Sequence, residues 1–158
     1  GRLWIRANNG AAGALHTWMG IGCALNDPVD TTRPSLSSFS STSANGSYKE
    51  GATVNITATL SEAVTSAARI TVTLDTGETV LLSHSATDNT LTGTYTVGAG
   101  KSSADLTVSS YVLTSAPTDA AGNVMNTTTV PSGSSNIAGS KAIVIDTTAP
   151  TVALSRSG

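Results

Sequence analysis

Charged side chains are scarce in this chain of 158 residues: 8 are basic and 10 are acidic, which gives a net charge of −2. No run of Lys and Arg occurs, so the positive surface expected of a nucleic-acid-binding protein is missing. No apolar stretch approaches the length that a membrane span requires. We therefore expect neither nucleic acid as a partner nor membrane insertion.

Cysteine and aromatic residues are also rare. Cys23 is the single cysteine, so the chain can form neither an internal disulfide nor a metal site built from several cysteines. Aromatic residues make up only 4% of the chain, which predicts a small core of aliphatic side chains. An extracellular protein that is stabilised without cysteine is more typical of bacteria than of animals.

Catalytic patterns are missing as well. His16 and His84 are the only imidazoles, and the G-x-S-x-G turn of serine hydrolases does not occur. The segment "GAGKSS", residues 98–103, resembles the end of a phosphate-binding loop, but Tyr95 stands where the first glycine is required. That segment also joins two predicted strands instead of a strand and a helix. The sequence therefore predicts a protein that is not an enzyme.

Serine and threonine are abundant, with 22 and 26 residues, and apolar residues alternate with polar ones at a period of two. This period is typical of antiparallel strands with one buried face. The predicted core positions are Ala52, Val54, Ile56, Ala58, Leu60, Ile70, Val72, Leu74, Leu91, Gly93, Tyr95, Val97, Leu106 and Val108. Residues 141–146, "KAIVID", form a more continuously apolar strand that closes the unit.

Turn-forming residues separate these runs. Asn45-Gly46 lies between the first two strands, Asp75-Thr76-Gly77 predicts a hairpin, and Gly98-Ala99-Gly100 ends a third strand. Residues 131–139 are rich in Ser, Gly and Asn and are predicted to be a loop. About seven short strands at this spacing indicate an all-β fold, a β-sandwich with Greek-key connections.

One motif occurs twice. "VDTTRPSL" begins at Val29 and "VIDTTAPTV" begins at Val144, which places Asp30 and Asp146 a distance of 146 − 30 = 116 positions apart. This interval is the length of one domain, so it indicates a tandem array. We interpret residues 30–146 as one whole repeat and residues 147–158 as a linker with the first strand of the next repeat. Residues 1–29 are then a separate segment, either the end of an upstream domain or a strand donated to a neighbour.

The order of several motifs resembles a known family. The segments "YKEGATVNIT", "SEAV", "VGAGKSSADL", "DAAGN" and "KAIVIDTTAP" follow one another between Val29 and about Val152. In this order they resemble the bacterial immunoglobulin-like repeats of large surface proteins and adhesins. The resemblance implies an immunoglobulin-like fold and tandem, secreted stalks on the bacterial cell surface that hold a binding or anchoring domain away from it. Neighbouring repeats of the same chain or polymer are the implied partners.

The repeated motif also suggests a cation site. Pro34 and Pro150 restrict the backbone and stiffen the linker. If the strands alternate in direction, Asp30, Glu62, Asp119 and Asn123 meet at one end of the unit, and Asp146 takes the place of Asp30 for the next repeat. Their oxygens are ligands that calcium prefers.

An alternative explanation exists for each of these residues. Asp119 and Asn123 also fit an ordinary turn, and Glu62 also fits a solvated surface position.

The N-terminal segment leaves two further functions open. Exposed Trp4 and Trp18 would provide a platform for host or surface glycans, whereas buried tryptophans would fill the core of an upstream domain. Alternatively, residues 1–29 or the C-terminal tail complete the sheet of a neighbouring subunit, which would make the protein a subunit of an extracellular filament or surface layer.

Overall fold

The computed structural model describes residues 29–65, 67–84, 87–153 and 156, and this part of the chain is mostly β-structure. Its strands are β1 (Leu36–Ser40), β2 (Gly46–Tyr48), β3 (Thr53–Val64), β4 (Arg69–Leu74), β5 (Thr79–Ser83), β6 (Asp88–Thr96), β7 (Ser102–Ser103), β8 (Val108–Ser115) and β9 (Ile143–Asp146). A 3-10 turn (Gly133–Ser135) and the short helix α1 (Ile137–Ser140) precede β9. No helix in the described ranges has the length and apolar character needed to cross a bilayer.

Six strands form one sheet in the order β1-β3-β6-β5-β4-β8, and each neighbouring pair is antiparallel. The alternation in β3 produces this sheet because its apolar residues are buried and the intervening Thr and Asn residues are not. The register is continuous from Thr53 opposite Thr96 to Thr59 opposite Thr90, and it then shifts before Val64 meets Asp88. The period-two prediction for this strand is therefore confirmed.

In the curled six-stranded sheet, β5 and β6 have the fewest paired residues. These strands share a single register pair, Ser83 with Thr92, and they approach closely at Gly93. A Cβ atom at Gly93 would lie 2.5 Å from the carbonyl oxygen of Leu81 and 2.7 Å from Leu82 Cδ2. Glycine is required here because any side chain would push the two strands apart.

A second, three-stranded sheet has the order β2-β9-β7. β2 pairs with β9 in parallel, with Ser47 opposite Val144, while β7 pairs with β9 in the antiparallel sense. The parallel pair brings a strand from the beginning of the unit beside its last strand. Ile143 and Ile145 of β9 are fully buried, as the apolar "KAIVID" run predicts.

One hydrophobic core draws on both sheets, from Phe39 in β1 to Ile145 in β9. Phe39 and Tyr111 pack edge to face, with ring centroids 5.7 Å apart and an interplanar angle of 75°. Such a pair adds roughly 0.5–1.5 kcal/mol beyond the burial of its apolar area. The remaining core side chains are almost all aliphatic, as the low aromatic content predicts.

Some local predictions differ from the structure. The described ranges contain nine strands instead of about seven, because Gly46–Tyr48 and Ser102–Ser103 form short strands. β3 continues beyond the alternating run that ends at Leu60, so Ser61 and Glu62 belong to the strand, which ends at Val64. Residues 131–139 are not a simple loop, since they contain the 3-10 turn and most of α1. The predicted separate segment 1–29 lies outside the described residues except for Val29.

Candidate metal site

The first Asp-Thr-Thr-x-Pro motif is fastened to the domain that follows it. The backbone N–H of Thr32 donates to Asp30 Oδ1 at 2.9 Å and closes a local turn. Arg33 reaches across to donate to the carbonyl oxygen of Val124 at 2.8 Å. Ser35 and Ser61 exchange two bonds, from Ser35 N–H to Ser61 Oγ at 3.0 Å and from Ser61 N–H to the Ser35 carbonyl at 2.8 Å. The linker is therefore held against both β3 and the segment after β8.

The turn after β8 holds a buried carboxylate. Asp119 is only 5% exposed, and its two oxygens accept from the backbone N–H and the side-chain amide of Asn123, each at 2.8 Å. Gly122 has a φ of 92°, a conformation that favours glycine. The bonds from the Asn123 side chain, and then from the Asn123, Gly122 and Ala121 backbone, hold the pKa of Asp119 below its ordinary value despite burial.

Glu62 completes a cluster of three carboxylates. One oxygen from each of Asp30, Glu62 and Asp119 lies within 4.8 Å of the others. Glu62 Oε1 is shielded from solvent and has no hydrogen-bond partner. Desolvation and then the negative charges of Asp119 and Asp30 raise the pKa of Glu62. We call this cluster (Asp30, Glu62, Asp119) the acidic end of the unit.

Two of the remaining predicted residues have clear positions. Asn123 lies at the acidic end as a hydrogen-bond donor, because its amide nitrogen donates to Asp119 and, at 3.0 Å, to the Asp30 carbonyl. It therefore holds the Asp119 carboxylate and the Asp30 backbone in place through its amide nitrogen. Asp146 lies elsewhere, at the end of β9 opposite Ser102.

The other predicted site lies in the N-terminal segment. Trp4 and Trp18, the predicted glycan-binding residues, lie outside the described residues.

The acidic end has the chemistry of a site for a hard cation. Its three carboxylates come from the linker, from β3 and from the turn after β8, so one ion would join three separate segments. Calcium takes roughly six to eight oxygen ligands, so the three carboxylates would need further oxygens from water, backbone or a neighbouring unit. The unpartnered Oε1 of Glu62 fits such an ion, because a cation would satisfy an oxygen that the protein leaves without a donor.

Sequence reasoning missed the residues that support the acidic end. Thr65 donates its N–H to the Thr118 carbonyl at 2.8 Å and thereby ties the turn between β3 and β4 to the segment that carries Asp119. Arg33 occupies the variable position of the repeated motif, and alanine stands at the same position in the second copy. No periodicity or spacing marks these residues, since their contacts join positions that are far apart in the chain.

Comparison with known proteins gives no further guidance, because no family model, curated protein or solved structure matches the chain significantly.

Proposed function

We propose that this chain is a non-catalytic structural repeat of an extended, extracellular bacterial surface protein. In this proposal residues 30–146 form an immunoglobulin-like, Greek-key β-sandwich, and Asp-Thr-Thr-x-Pro linkers join it to its neighbours. Calcium at the acidic end stiffens the joint. The unit supports adhesion or display at a distance from the cell, and neighbouring repeats are its partners.

The observation that carries the proposal is that both copies of the motif adopt the same local structure. Thr32 N–H donates to Asp30 Oδ1 at 2.9 Å, and Thr148 N–H donates to Asp146 Oδ1 at 2.8 Å. This turn is the local structure that an Asp-Thr-Thr sequence favours, so the two segments are equivalent in conformation as well as in sequence. The shared geometry supports a linker that is repeated at each junction of an array.

The two linkers also lie at opposite ends of the unit. Asp30 clusters with Glu62 near the end of β3, whereas Asp146 pairs with Ser102 just after the turn that follows β6. The end of β6 is paired with Thr53, the first residue of β3. Because Thr53 and Glu62 are nine positions apart in β3, the linkers are separated by roughly 30 Å. Units joined in this way would form an elongated chain, as a stalk requires.

Calcium would remove a conflict that the acidic end contains. Three carboxylates share a small volume, and their mutual repulsion opposes the approach of Asp30 to Glu62 and Asp119. A divalent ion turns this repulsion into attraction and fixes the linker, β3 and the turn after β8 to one point. The joint would then bend less, which is the property that a spacer protein needs.

The test is thermal unfolding of the chain in excess calcium and in excess chelator. At a calcium concentration one hundred times the dissociation constant, binding stabilises the folded state by about 2.7 kcal/mol. For a unit of this size that corresponds to a rise in melting temperature of roughly 8–16 °C. The same melting temperature in calcium and in chelator would refute the metal site.

Glu62→Gln separates the repulsion between the carboxylates from their attraction for calcium. In chelator the variant should be more stable than the wild type above the raised pKa of Glu62, because it removes an ionised carboxylate that the fold disfavours. It should also gain much less stability from calcium. Asp105→Asn removes an exposed carboxylate outside the cluster and serves as the control, with an unchanged calcium response.

Scattering from a protein of two consecutive units tests the structural role itself. The expected shape is a rod about twice as long as one unit, which becomes more flexible when calcium is removed. A compact pair of units with no change in chelator would argue against a stalk. The filament and glycan-binding alternatives depend largely on residues outside the described part, and no observation within that part favours them.

A further inference from the structure

His84 is a buried imidazole whose two nitrogens both face hydrogen-bond acceptors. Its side chain is only 4% exposed. Nε2 lies 2.6 Å from the carbonyl oxygen of Thr65, and Nδ1 lies 3.1 Å from Asp88 Oδ1. A carbonyl oxygen can only accept, so Nε2 carries a proton. The state of Nδ1 then depends on the carboxyl group of Asp88.

Asp88 is an ionised acceptor in this arrangement. Its Oδ1 also accepts from the backbone N–H of Thr90 at 2.9 Å and from the Thr90 hydroxyl at 3.3 Å. The bond from the Thr90 backbone, and then the bond to His84, lowers the pKa of Asp88. An ionised carboxylate cannot donate to Nδ1, so Nδ1 must donate to it. The two hydrogen bonds can therefore exist together only when the ring carries two protons, as an imidazolium.

The ring joins three segments of the chain. His84 follows β5, Asp88 begins β6, and Thr65 lies in the turn between β3 and β4. Thr65 donates its own N–H to the Thr118 carbonyl, so the fixed backbone at Thr65 also holds the segment after β8. Loss of one ring proton would leave a nitrogen lone pair facing either the Asp88 carboxylate or the Thr65 carbonyl, and that contact would have to break or rearrange.

We propose that His84 is a proton-dependent latch: its doubly protonated ring holds the β3–β4 turn to the start of β6, and loss of one proton releases it. Release would loosen the bond between Thr65 and Thr118 at the acidic end. The end of the unit that carries Thr65 and Thr118 would then open less often at mildly acidic pH than at alkaline pH. This inference requires no metal ion and does not depend on the stalk function.

Asp88 is the charged residue that contacts the His84 ring directly, and the other charged groups nearby lie against different residues. Among the described residues, Asp88 is the one titratable group within hydrogen-bond distance of the ring. From β4, Arg69 lies opposite Ser83, the residue before His84. From β3, Glu62 interacts with the charges of Asp119 and Asp30 at the acidic end. Asp88 is therefore the charged group that contacts the ring directly.

Nitrogen NMR of the chain tests the protonation state directly, with chelator present so that metal binding plays no part. The His16→Gln background removes the other imidazole, so the remaining ring signals belong to His84. At about pH 5.5, below the ordinary imidazole range, both ring nitrogens should carry protons. In an otherwise identical Asp88→Asn protein the imidazolium fraction at about pH 6.5 should fall, because the negative charge is lost. A ring with one unprotonated nitrogen at about pH 5.5 would overturn the proposal.

Amide exchange at Thr65 tests whether the proton acts as a latch. His84→Gln is the reference, because glutamine cannot titrate. The ratio of the Thr65 exchange rates in the two proteins cancels the intrinsic effect of pH on exchange. Between about pH 5.5 and pH 8.5 the protection of Thr65 relative to that reference should fall by roughly tenfold. An unchanged ratio would show that the ring is only a structural contact. If His84→Gln does not fold, His84→Asn serves as the reference with the same two outcomes, because asparagine cannot titrate either.

Discussion

Asn136 carries the sharpest prediction about stability. Its side chain is 7% exposed and makes four hydrogen bonds with backbone groups. Oδ1 accepts from Val108 N–H at 3.1 Å and Ile137 N–H at 2.7 Å, and Nδ2 donates to the carbonyls of Val108 at 3.0 Å and Pro131 at 3.1 Å. The amide thus pairs with both polar groups of Val108, as a residue of a neighbouring strand would, and it also caps α1.

Asn136→Ala should therefore be costly. Val108 is 2% exposed, so its N–H and C=O would lose their partners in a place that water reaches poorly. Each buried, unpaired group costs about 1–3 kcal/mol, which gives a loss of roughly 2–6 kcal/mol for the pair. That is a large share of the total of about 5–15 kcal/mol for a typical domain. We expect the melting temperature to fall by roughly 6–35 °C for a unit of this size.

Denaturant unfolding measures this loss as a change in the free energy of unfolding. The dependence of that free energy on denaturant concentration is compared between the variant and the wild type. Asn126→Ala is the matched control, because Asn126 is exposed on the preceding segment and should change stability by less than about 0.5 kcal/mol. Asn136→Asp keeps the acceptor but turns a carboxylate oxygen towards two carbonyls, so it should be at least as harmful as alanine. A loss below about 1 kcal/mol for Asn136→Ala would refute the reasoning.

Three further predictions follow from single contacts. Gly93→Ala should destabilise the unit by roughly 1–3 kcal/mol in denaturant unfolding, because its Cβ would collide with the Leu81 carbonyl; neutral behaviour would contradict the close approach of β5 and β6. Tyr111→Phe should cost about 1 kcal/mol, since the hydroxyl donates to the Thr127 carbonyl at 3.0 Å; a more stable variant would count against that bond. The pKa of Asp88 is lowered in the folded protein, so the ionised carboxylate stabilises the fold above the ordinary pKa of 3.8, and this stabilisation disappears as the pH falls through the lowered pKa. Asp88→Asn should therefore reduce the dependence of the free energy of unfolding on pH in the acidic range. An unchanged pH dependence would show that Asp88 contributes no stability in that range.

Much of the fold could be predicted because period-two alternation sets the buried face of each strand. Val54, Ile56 and Leu60 point into the core as their spacing indicates. The alternation could not predict which strands pair across the sheet, nor the parallel pairing of β2 with β9. Those features depend on contacts between residues far apart in the chain.

The position of the candidate site could be predicted from the sequence because strand direction determines which connections lie at the same end of the unit. Strands that alternate in direction bring every second connection to the same end, and this argument predicts that Asp30, Glu62 and Asp119 lie together. The structure brings these three carboxylates within 4.8 Å. The argument could not foresee that Asn123 would donate to the Asp119 carboxylate and to the Asp30 backbone carbonyl. Whether calcium binds there stays a prediction.

Composition alone does not predict the role of the polar side chains in the Ser/Gly/Asn-rich stretch 131–139. Composition indicates a loop, yet Asn136 in that stretch is buried and fully hydrogen-bonded. Local sequence does not distinguish an asparagine in solvent from one that replaces a missing strand, because the difference lies in Val108, which is 28 positions away. A buried polar residue of this kind can be recognised only from the folded structure.

The parallel pairing of β2 with β9 determines how the unit would carry a mechanical load. β9 leads directly into the second linker, and β2 belongs to the first part of the unit. Tension between the two linkers would slide these strands past each other, so their hydrogen bonds would be strained together instead of breaking one after another as in a hairpin that is peeled open. A pulling experiment on a single molecule should therefore record one abrupt rupture, whereas gradual lengthening at low force would show that the load passes elsewhere.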